Sequence, residues 1–401
     1  MALNDLATGE RLHIGFFGMR NAGKSSLVNA VTGQELSVVS NVKGTTTDPV
    51  QKSMELLPLG PVVIIDTPGL DDEGDLGLLR VEKAKQILSK TDIAVLVVDS
   101  QNGLQTQDRE FLATLKEKKI PTVIAFSKSD LSPSPNFSEG LPSVSVSATK
   151  GTGINELKET IGNLAKLRPA PRVIISDMIT QGDIVILVTP IDESAPKGRL
   201  ILPQQLTLRE ILDVHGIPIL CQPEELPKIL SSLAVKPKMV ITDSQSFGVV
   251  NKLVPSEIPL TSFSILMARY KGDLAIQIKG AAMLSELNDG DHVLISEGCT
   301  HHRQCKDIGT VKIPGWIENF SKSKPNYTFT SGGEFPADLS GFKLIVHCGG
   351  CMLNEAEMTN RIKRSVEAKV PMVNYGLAIA HMHGILKRSV ELFPEIAKLL
   401  D

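Results

Sequence analysis

The hydrophobic positions of the first part of the chain form short apolar runs that are separated by helical patterns. Short β-branched runs are typical of buried strands. The pattern predicts strands at 14–18, 62–66, 93–99, 122–127 and 144–147, and helices at 23–31 and 109–118. Because strands alternate with helices, we predict a parallel sheet with helices on both faces.

Two prolines in the segment Arg168-Pro169-Ala170-Pro171-Arg172 interrupt this pattern and favour an extended linker. The pattern therefore predicts an α/β chain of three domains, at 1–168, 173–265 and 266–401. Strands are expected at 184–188, 217–220, 239–242, 292–296, 343–346 and 371–374. Helices are expected at 206–214, 224–233, 273–287, 355–367, 377–383 and 390–400.

Composition narrows the class of protein. Of the 401 residues 42% are hydrophobic and 22% are charged, as in globular proteins, and the net charge of -3 argues against nucleic acid as a partner. No apolar run reaches the ~18 residues of a membrane helix, and the first eleven residues are too polar for a signal peptide. We therefore expect a cytoplasmic protein that does not bind membranes. Its five cysteines favour thiol or metal chemistry over disulfides.

A phosphate-binding loop is predicted where the first strand meets the first helix. Gly18-Met19-Arg20-Asn21-Ala22-Gly23-Lys24-Ser25 fits the pattern G-x-x-x-x-G-K-S/T, and Ser26 follows it. The glycines let backbone N–H groups surround a phosphate at the positive end of a helix. Lys24 is expected to reach the β- and γ-phosphates, and Ser25 to bind Mg²⁺.

Two further segments complete the predicted phosphate site. Asp66-Thr67-Pro68-Gly69 follows a strand, so Asp66 can hold Mg²⁺ through water and the Gly69 N–H can contact the γ-phosphate. In the segment between the phosphate-binding loop and Asp66, Thr46, or else Thr45, is expected to complete the Mg²⁺ shell when GTP is bound. Hydrolysis would then release that loop. We expect Lys24, Thr46, Asp66 and Gly69 to serve catalysis.

The choice of base is predicted from Ser127-Lys128-Ser129-Asp130. Asp130 can accept hydrogen bonds from guanine N1 and N2, and Lys128 can lie over the ring. Ser147-Ala148 is expected to present a backbone N–H to guanine O6. The usual guanine motif begins with Asn, so Ser127 is expected to loosen this loop and lower the affinity without reversing the preference for guanine.

With these motifs, residues 12–165 resemble the translation-factor class of small GTPases, near the tRNA-modification GTPases TrmE and Era. In that class an Asn at the position of Asn21 often accompanies activation by K⁺. The resemblance therefore implies a K⁺ ion at Asn21 that supplies positive charge in place of an arginine finger. Leu70 stands where a glutamine would orient water, so slow intrinsic hydrolysis is expected.

A second group of residues suggests a metal site. Cys299 and His301 follow one predicted strand, and His347, Cys348 and Cys351 follow another. If the two strands lie parallel in one sheet, both loops emerge at its carboxyl edge. Cys-x-x-Cys spacing suits zinc or an iron–sulfur cluster, while a redox pair and buried structural cysteines are alternatives.

The spacing Cys-x-His, about 45 residues, then His-Cys-x-x-Cys resembles the [FeFe]-hydrogenase maturation GTPases, HydF, over the whole chain. That family joins GTPase, dimerisation and cluster-binding domains in this order. The resemblance implies a homodimer and a [4Fe-4S] cluster on Cys299, Cys348 and Cys351. It also implies a scaffold that receives a transient diiron precursor with two radical-SAM maturases and delivers it to apo-[FeFe]-hydrogenase. The fourth ligand is left open among His301, His347, Cys305, Asp307 and none.

A different class of function is the alternative. A GTPase with a zinc-binding docking domain would act in RNA modification or ribosome assembly. Such a domain should carry a basic face, and residues 266–401 contain no long Lys/Arg run.

Overall fold

The computed structural model describes residues 8–34, 50–57, 59–69, 86–135, 140–168, 172–191, 200–298 and 307–400. The chain divides into two compact units, Met1–Ala170 and Pro171–Asp401. Within the described ranges, no helix combines the length and apolar character that crossing a lipid bilayer requires.

The first unit is built on a six-stranded sheet with the strand order β2-β3-β1-β4-β5-β6. Its strands are β1 (Leu12–Phe17), β2 (Val50–Leu56), β3 (Gly60–Asp66), β4 (Ile93–Asp99), β5 (Thr122–Ser127) and β6 (Ser143–Ser145), and its helices include α1 (Lys24–Thr32), α2 (Thr106–Glu117) and α3 (Ile154–Lys166). Two apolar clusters bury opposite faces of the sheet. The predicted helix layers are therefore confirmed.

The edge strand differs from the prediction. β2 pairs antiparallel with β3, whereas β3, β1, β4, β5 and β6 are parallel to their neighbours. The side chains of β2 alternate between exposed and less exposed from Gln51 to Leu56, as expected for an edge strand with one face toward solvent. The prediction of a parallel sheet was therefore wrong for the edge strand β2.

The second unit contains two four-stranded parallel sheets, ordered β10-β9-β7-β8 and β12-β11-β13-β14. The strands are β7 (Ile184–Val188), β8 (Ile217–Cys221), β9 (Met239–Thr242), β10 (Leu260–Ser262), β11 (His292–Ser296), β12 (Asn326–Thr330), β13 (Leu344–His347) and β14 (Met372–Asn374). The helices are α4 (Leu202–Asp213), α5 (Leu226–Ser232), α6 (Phe247–Leu253), α7 (Phe263–Lys271), α8 (Leu274–Ala282), α9 (Ile313–Ser321), α10 (Glu355–Glu367), α11 (Tyr375–Met382), α12 (Leu386–Ser389) and α13 (Pro394–Ala397).

One continuous apolar cluster joins the two sheets of the second unit. It includes Ile186 of the first sheet, Leu266 of α7 and Val346 of the second sheet, all of them fully buried. The boundary predicted at 265/266 falls inside α7, which contributes to this shared core.

The C-terminal end also differs from the prediction. A single helix was expected at 390–400, but α12 already ends at Ser389, and the predicted range contains the short helix α13 followed by a 3₁₀ turn at Lys398–Leu400. Pro394 interrupts the run because proline has no N–H to donate within a helix. It therefore stands in the first turn of α13 instead.

Candidate functional site

The phosphate-loop pattern folds as a tight backbone turn between β1 and α1. Gly18 has φ 149°, and a Cβ there would collide with the carbonyl oxygen of Val97. Gly23 has φ 87° and caps the N-terminus of α1. Only glycine takes both conformations without strain. The loop therefore ends at a helix N-terminus, where N–H groups favour an anion.

Lys24 lies across this loop. Its ammonium donates hydrogen bonds to the carbonyl oxygens of Gly18 and Met19, at 2.9 and 2.8 Å. The side chain is buried. These contacts hold a positive charge over the turn that would enclose a phosphate.

Ser25 and Asp66 meet at the adjacent carboxyl end of β3. The Ser25 hydroxyl donates to Asp66 Oδ2 at 2.7 Å. Asp66 is only 2% exposed, and within the described residues its Oδ1 has no hydrogen-bond partner. Oxygen ligands of this kind suit Mg²⁺, and an unpaired buried carboxylate oxygen is costly without a cation. The pair therefore fits the predicted magnesium site. Gly69 follows β3 among the described residues, whereas Thr46 and Leu70 lie outside them.

Ser127 ties the base-recognition loop to the phosphate loop. Its hydroxyl donates to the carbonyl oxygen of Ala22 at 2.5 Å and lies 3.2 Å from that of Val98. The expected loosening of this loop therefore has no counterpart in these contacts. Lys128 follows in a left-handed conformation, φ 56°, and its ammonium contacts the Asp99 carboxylate at 2.7 Å.

Asp130 lies beside the second segment of the predicted guanine site. The Ser129 N–H donates to the carbonyl of Val146 at 3.2 Å, which joins the two segments. A hydrogen bond from Ser147 is the main cause that lowers the pKa of Asp130, and Thr149 adds a smaller effect. Asp130 is exposed and ionised at neutral pH, so it can accept hydrogen bonds from a base. The neighbouring Ala148 is partly exposed.

The cysteine loop lies at the carboxyl end of β13, as predicted. β11 pairs directly with β13, with Ser296 opposite His347, and the Cys348 N–H donates to the Ser296 carbonyl at 3.0 Å. The Cys348 sulfur lies 3.0 Å from the N of Gly298 and 3.4 Å from that of Gly350. Backbone N–H groups that point at sulfur are a feature of iron–sulfur sites. Burial raises the pKa of the Cys348 thiol to about 11, so a metal must displace its proton.

Some of the predicted metal ligands lie outside the residues that the structure describes. Cys299, the next residue after Gly298, lies outside the described residues, as do His301 and Cys305. Within the described ranges, no group of three or more His, Cys, Asp or Glu side chains converges as a metal site. Asp307 is buried and caps the following turn, where its Oδ2 accepts from the N–H and the hydroxyl of Thr310.

The predicted ligand His347 lies in the interior behind the cysteine loop. Its side chain is fully buried, with Nδ1 2.8 Å from the carbonyl of Cys348 and Nε2 3.1 Å from Nη1 of Arg361. Because a carbonyl only accepts and a guanidinium only donates, Nδ1 carries the proton and Nε2 accepts from Arg361. Neither nitrogen has a lone pair left for iron. Burial, aided by the Arg361 charge, lowers the pKa of His347 to about 3, so the ring is neutral.

Arg361 was missed from the sequence. Its guanidinium is 1% exposed and donates to the carbonyl of Gly332 at 2.6 Å and to Glu357 at 2.7 Å. Glu357 stands four residues earlier on α10, and this i, i+4 spacing is the one available sequence signal. It resembles any exposed helical ion pair, so it does not reveal that the pair is buried.

Comparison with known families decides the identity. Residues 174–272 match the hydrogen maturase F dimerization domain, residues 275–392 match the hydrogen maturase F tetramerization domain, and residues 13–128 match the 50S ribosome-binding GTPase family. The two hydrogen maturase F models together cover more than half of the chain. The chain belongs to the hydrogen maturase F family. Its first unit is accordingly a GTPase domain, followed by the two maturase domains.

Other similar proteins match only parts of this chain. The tRNA modification GTPase MnmE of Moorella thermoacetica is 36% identical over 162 residues, which are 38% of this chain and 34% of that protein. GTPase Der of Kosmotoga olearia is 28% identical over 221 residues, 50% of this chain and 49% of that protein. The chain thus spans about a third to a half of the length of these relatives. A solved structure of an Era variant from Aquifex aeolicus with GDP and aluminium fluoride is 20% identical, with a TM-score of 0.36, over 55% of this chain and 98% of that one.

Proposed function

We propose that this maturase F chain is a GTP-hydrolysing scaffold that binds a [4Fe-4S] cluster and delivers the diiron precursor to apo-[FeFe]-hydrogenase. The observation that carries the proposal is the direct pairing of β11 with β13, which brings Gly298, the residue before Cys299, to the Cys348 sulfur. Two maturase F domains follow the GTPase domain on the same chain. The radical-SAM maturases and the hydrogenase are partners implied by the family.

The nucleotide chemistry is assigned to the first unit. Lys24 would neutralise charge on the β- and γ-phosphates, and Ser25 and Asp66 would hold Mg²⁺ between them. Thr46 would complete the Mg²⁺ shell, and the Gly69 N–H would contact the γ-phosphate. Since Leu70 cannot orient water, intrinsic hydrolysis is slow, and K⁺ at Asn21 would supply the missing positive charge.

The cluster chemistry is assigned to the second unit. A cluster held by Cys348, Cys351 and Cys299 leaves one iron without a protein sulfur. Because both ring nitrogens of His347 are engaged in hydrogen bonds, the proposal gives that position to His301, Cys305, Asp307 or an outside ligand. A weakly held fourth position suits a scaffold, because its cargo must leave.

Self-association is assigned to the segment that matches the dimerization model. The edge strand β8 and the end of α4 expose Leu212, Ile217 and Leu220, at 51%, 48% and 39%. Pro218 in that strand has no N–H to offer another strand. A second copy of this chain is therefore proposed to cover these side chains mainly by apolar contact.

The test combines cluster analysis with transfer. Anaerobically reconstituted protein should be brown, with iron and sulfide in about equal amounts, and should activate apo-hydrogenase after loading by the maturases. A colourless protein with about one zinc per chain would instead favour the docking-domain alternative.

A further inference from the structure

The Cys348–Cys351 loop rests on one face of α7. On α7, Ser264 Oγ lies 3.8 Å from the position that a Cβ on Gly349 would occupy. A Cβ on Gly349 would stand 3.7 Å from Met267 Cβ. Lys271 lies about one helical turn after Met267, at the end of α7. Positions 264, 267 and 271 are i, i+3 and i+7, so they share one helix face.

Lys271 binds the loop backbone at the second cysteine. Its ammonium donates to the carbonyl oxygens of Cys351 and Leu353, at 3.0 and 2.7 Å. The side chain is 2% exposed. A buried lysine is costly unless its charge is held by acceptors, so these contacts are a specific arrangement and not an incidental surface bond.

We infer that Lys271 is a positioning residue for the metal-binding loop. It fixes the turn at Cys351 and places a buried positive charge beside that cysteine. Because α7 belongs to the segment that matches the dimerization model, Lys271 also joins that segment to the loop. The inference rests on the proposed function only for its effect on the cluster.

The positive charge of Lys271 would change the reduction potential of a bound cluster. A 2+ cluster with three thiolates is negative overall, and reduction makes it more so. A nearby ammonium stabilises the more negative state and raises the reduction potential. Loss of an outer contact of this kind typically costs about 10–100-fold in metal affinity.

The experiment compares Lys271→Met and Lys271→Gln with Lys279→Gln, an exposed lysine on α8. Lys271→Gln keeps a hydrogen-bond donor without the charge, whereas Lys271→Met removes both. In the metal-free full-length chain, hydrogen exchange of residues 349–354 should quicken in Lys271→Met, less in Lys271→Gln, and stay unchanged in Lys279→Gln. Equal exchange in all variants overturns the positioning role, whether or not a cluster binds.

The cluster readout is separate. In reconstituted protein, both Lys271 variants should have a more negative midpoint potential, and Lys271→Met should lose iron to a chelator about 10-fold faster or more. If the midpoint potential and the rate of iron loss are both the same as in the wild type, the proposed electrostatic effect of Lys271 on the cluster is overturned. A wild-type chain that binds no iron–sulfur cluster contradicts the proposed function, while the exchange result still decides the role of Lys271.

Discussion

Arg361 donates a hydrogen bond from Nη1 to Nε2 of His347 across 3.1 Å, in the interior behind the cysteine loop. The same guanidinium reaches Ser296, the last residue of β11, at 3.3 Å. Arg361 thus links the carboxyl ends of the two strands that carry the cysteine segments. His347 is a support for this junction and keeps no free nitrogen for iron.

His347→Gln should therefore preserve the cluster. A glutamine amide can donate to the Cys348 carbonyl and accept from Arg361, so the electron paramagnetic resonance spectrum of the reduced protein should match that of the reduced wild type. His347→Ala leaves both partners unsatisfied and should lower the free energy of unfolding by about 1–3 kcal/mol in urea. His292→Gln, at the exposed start of β11, is the control. Loss of the cluster in His347→Gln at unchanged stability would make His347 a ligand after all.

Ser127→Ala should weaken nucleotide binding, because it removes the 2.5 Å hydrogen bond to Ala22. One such bond contributes about 1 kcal/mol, which is roughly a 5-fold change in the dissociation constant of GDP by calorimetry. Ser127→Asn should retain binding, and Ser143→Ala on β6 should have no effect. Equal affinities for Ser127→Ala and the wild type would show that this tie does not matter.

Potassium should raise the GTPase rate above that in sodium. One electrostatic contact at the transition state is typically worth on the order of 100-fold or more. Asn21→Ala should remove most of the difference between the two salts while GDP binding persists. Equal wild-type rates in K⁺ and Na⁺, measured by phosphate release, would refute potassium activation.

The exposed apolar side chains at and near the β8 edge, Leu212, Ile217 and Leu220, should control self-association. Ile217→Asp would place a charge in the proposed interface and weaken the dimer by roughly 10- to 100-fold, seen as dissociation by light scattering. Val235→Asp is the matched control, since Val235 is 65% exposed in the same domain. If Val235→Asp dissociates the dimer and Ile217→Asp does not, the interface lies elsewhere.

Much of this architecture follows from local sequence. The strand 292–296 and the helix 355–367 form with the predicted bounds, because apolar runs and the Asn354 cap define them locally. α7 and β12 were missed. α7 is buried around much of its circumference and has little amphipathic period, and β12 is a largely exposed edge strand.

The candidate site likewise has parts that the sequence predicts and parts that only the folded structure shows. The phosphate loop, Asp66 and the Cys-x-x-Cys loop are contiguous motifs, so spacing alone predicts them. The contacts of Lys271 and Arg361 join residues from separate elements. Only the folded chain brings them together, and the i, i+4 spacing of Glu357 and Arg361 does not by itself reveal a buried pair.

An iron–sulfur centre on this GTPase chain is tested most directly by metal and sulfide analysis of anaerobically reconstituted protein, with electron paramagnetic resonance after chemical reduction to the paramagnetic 1+ state. The series is the wild type, Cys299→Ala, Cys348→Ala and Cys351→Ala, with Cys221→Ala as the control, because Cys221 lies in the apolar core. We predict about equal iron and sulfide and a [4Fe-4S] signal in the wild type and Cys221→Ala, and loss of both in the other three. A full cluster in Cys299→Ala, or zinc without sulfide in the wild type, would contradict a three-cysteine centre.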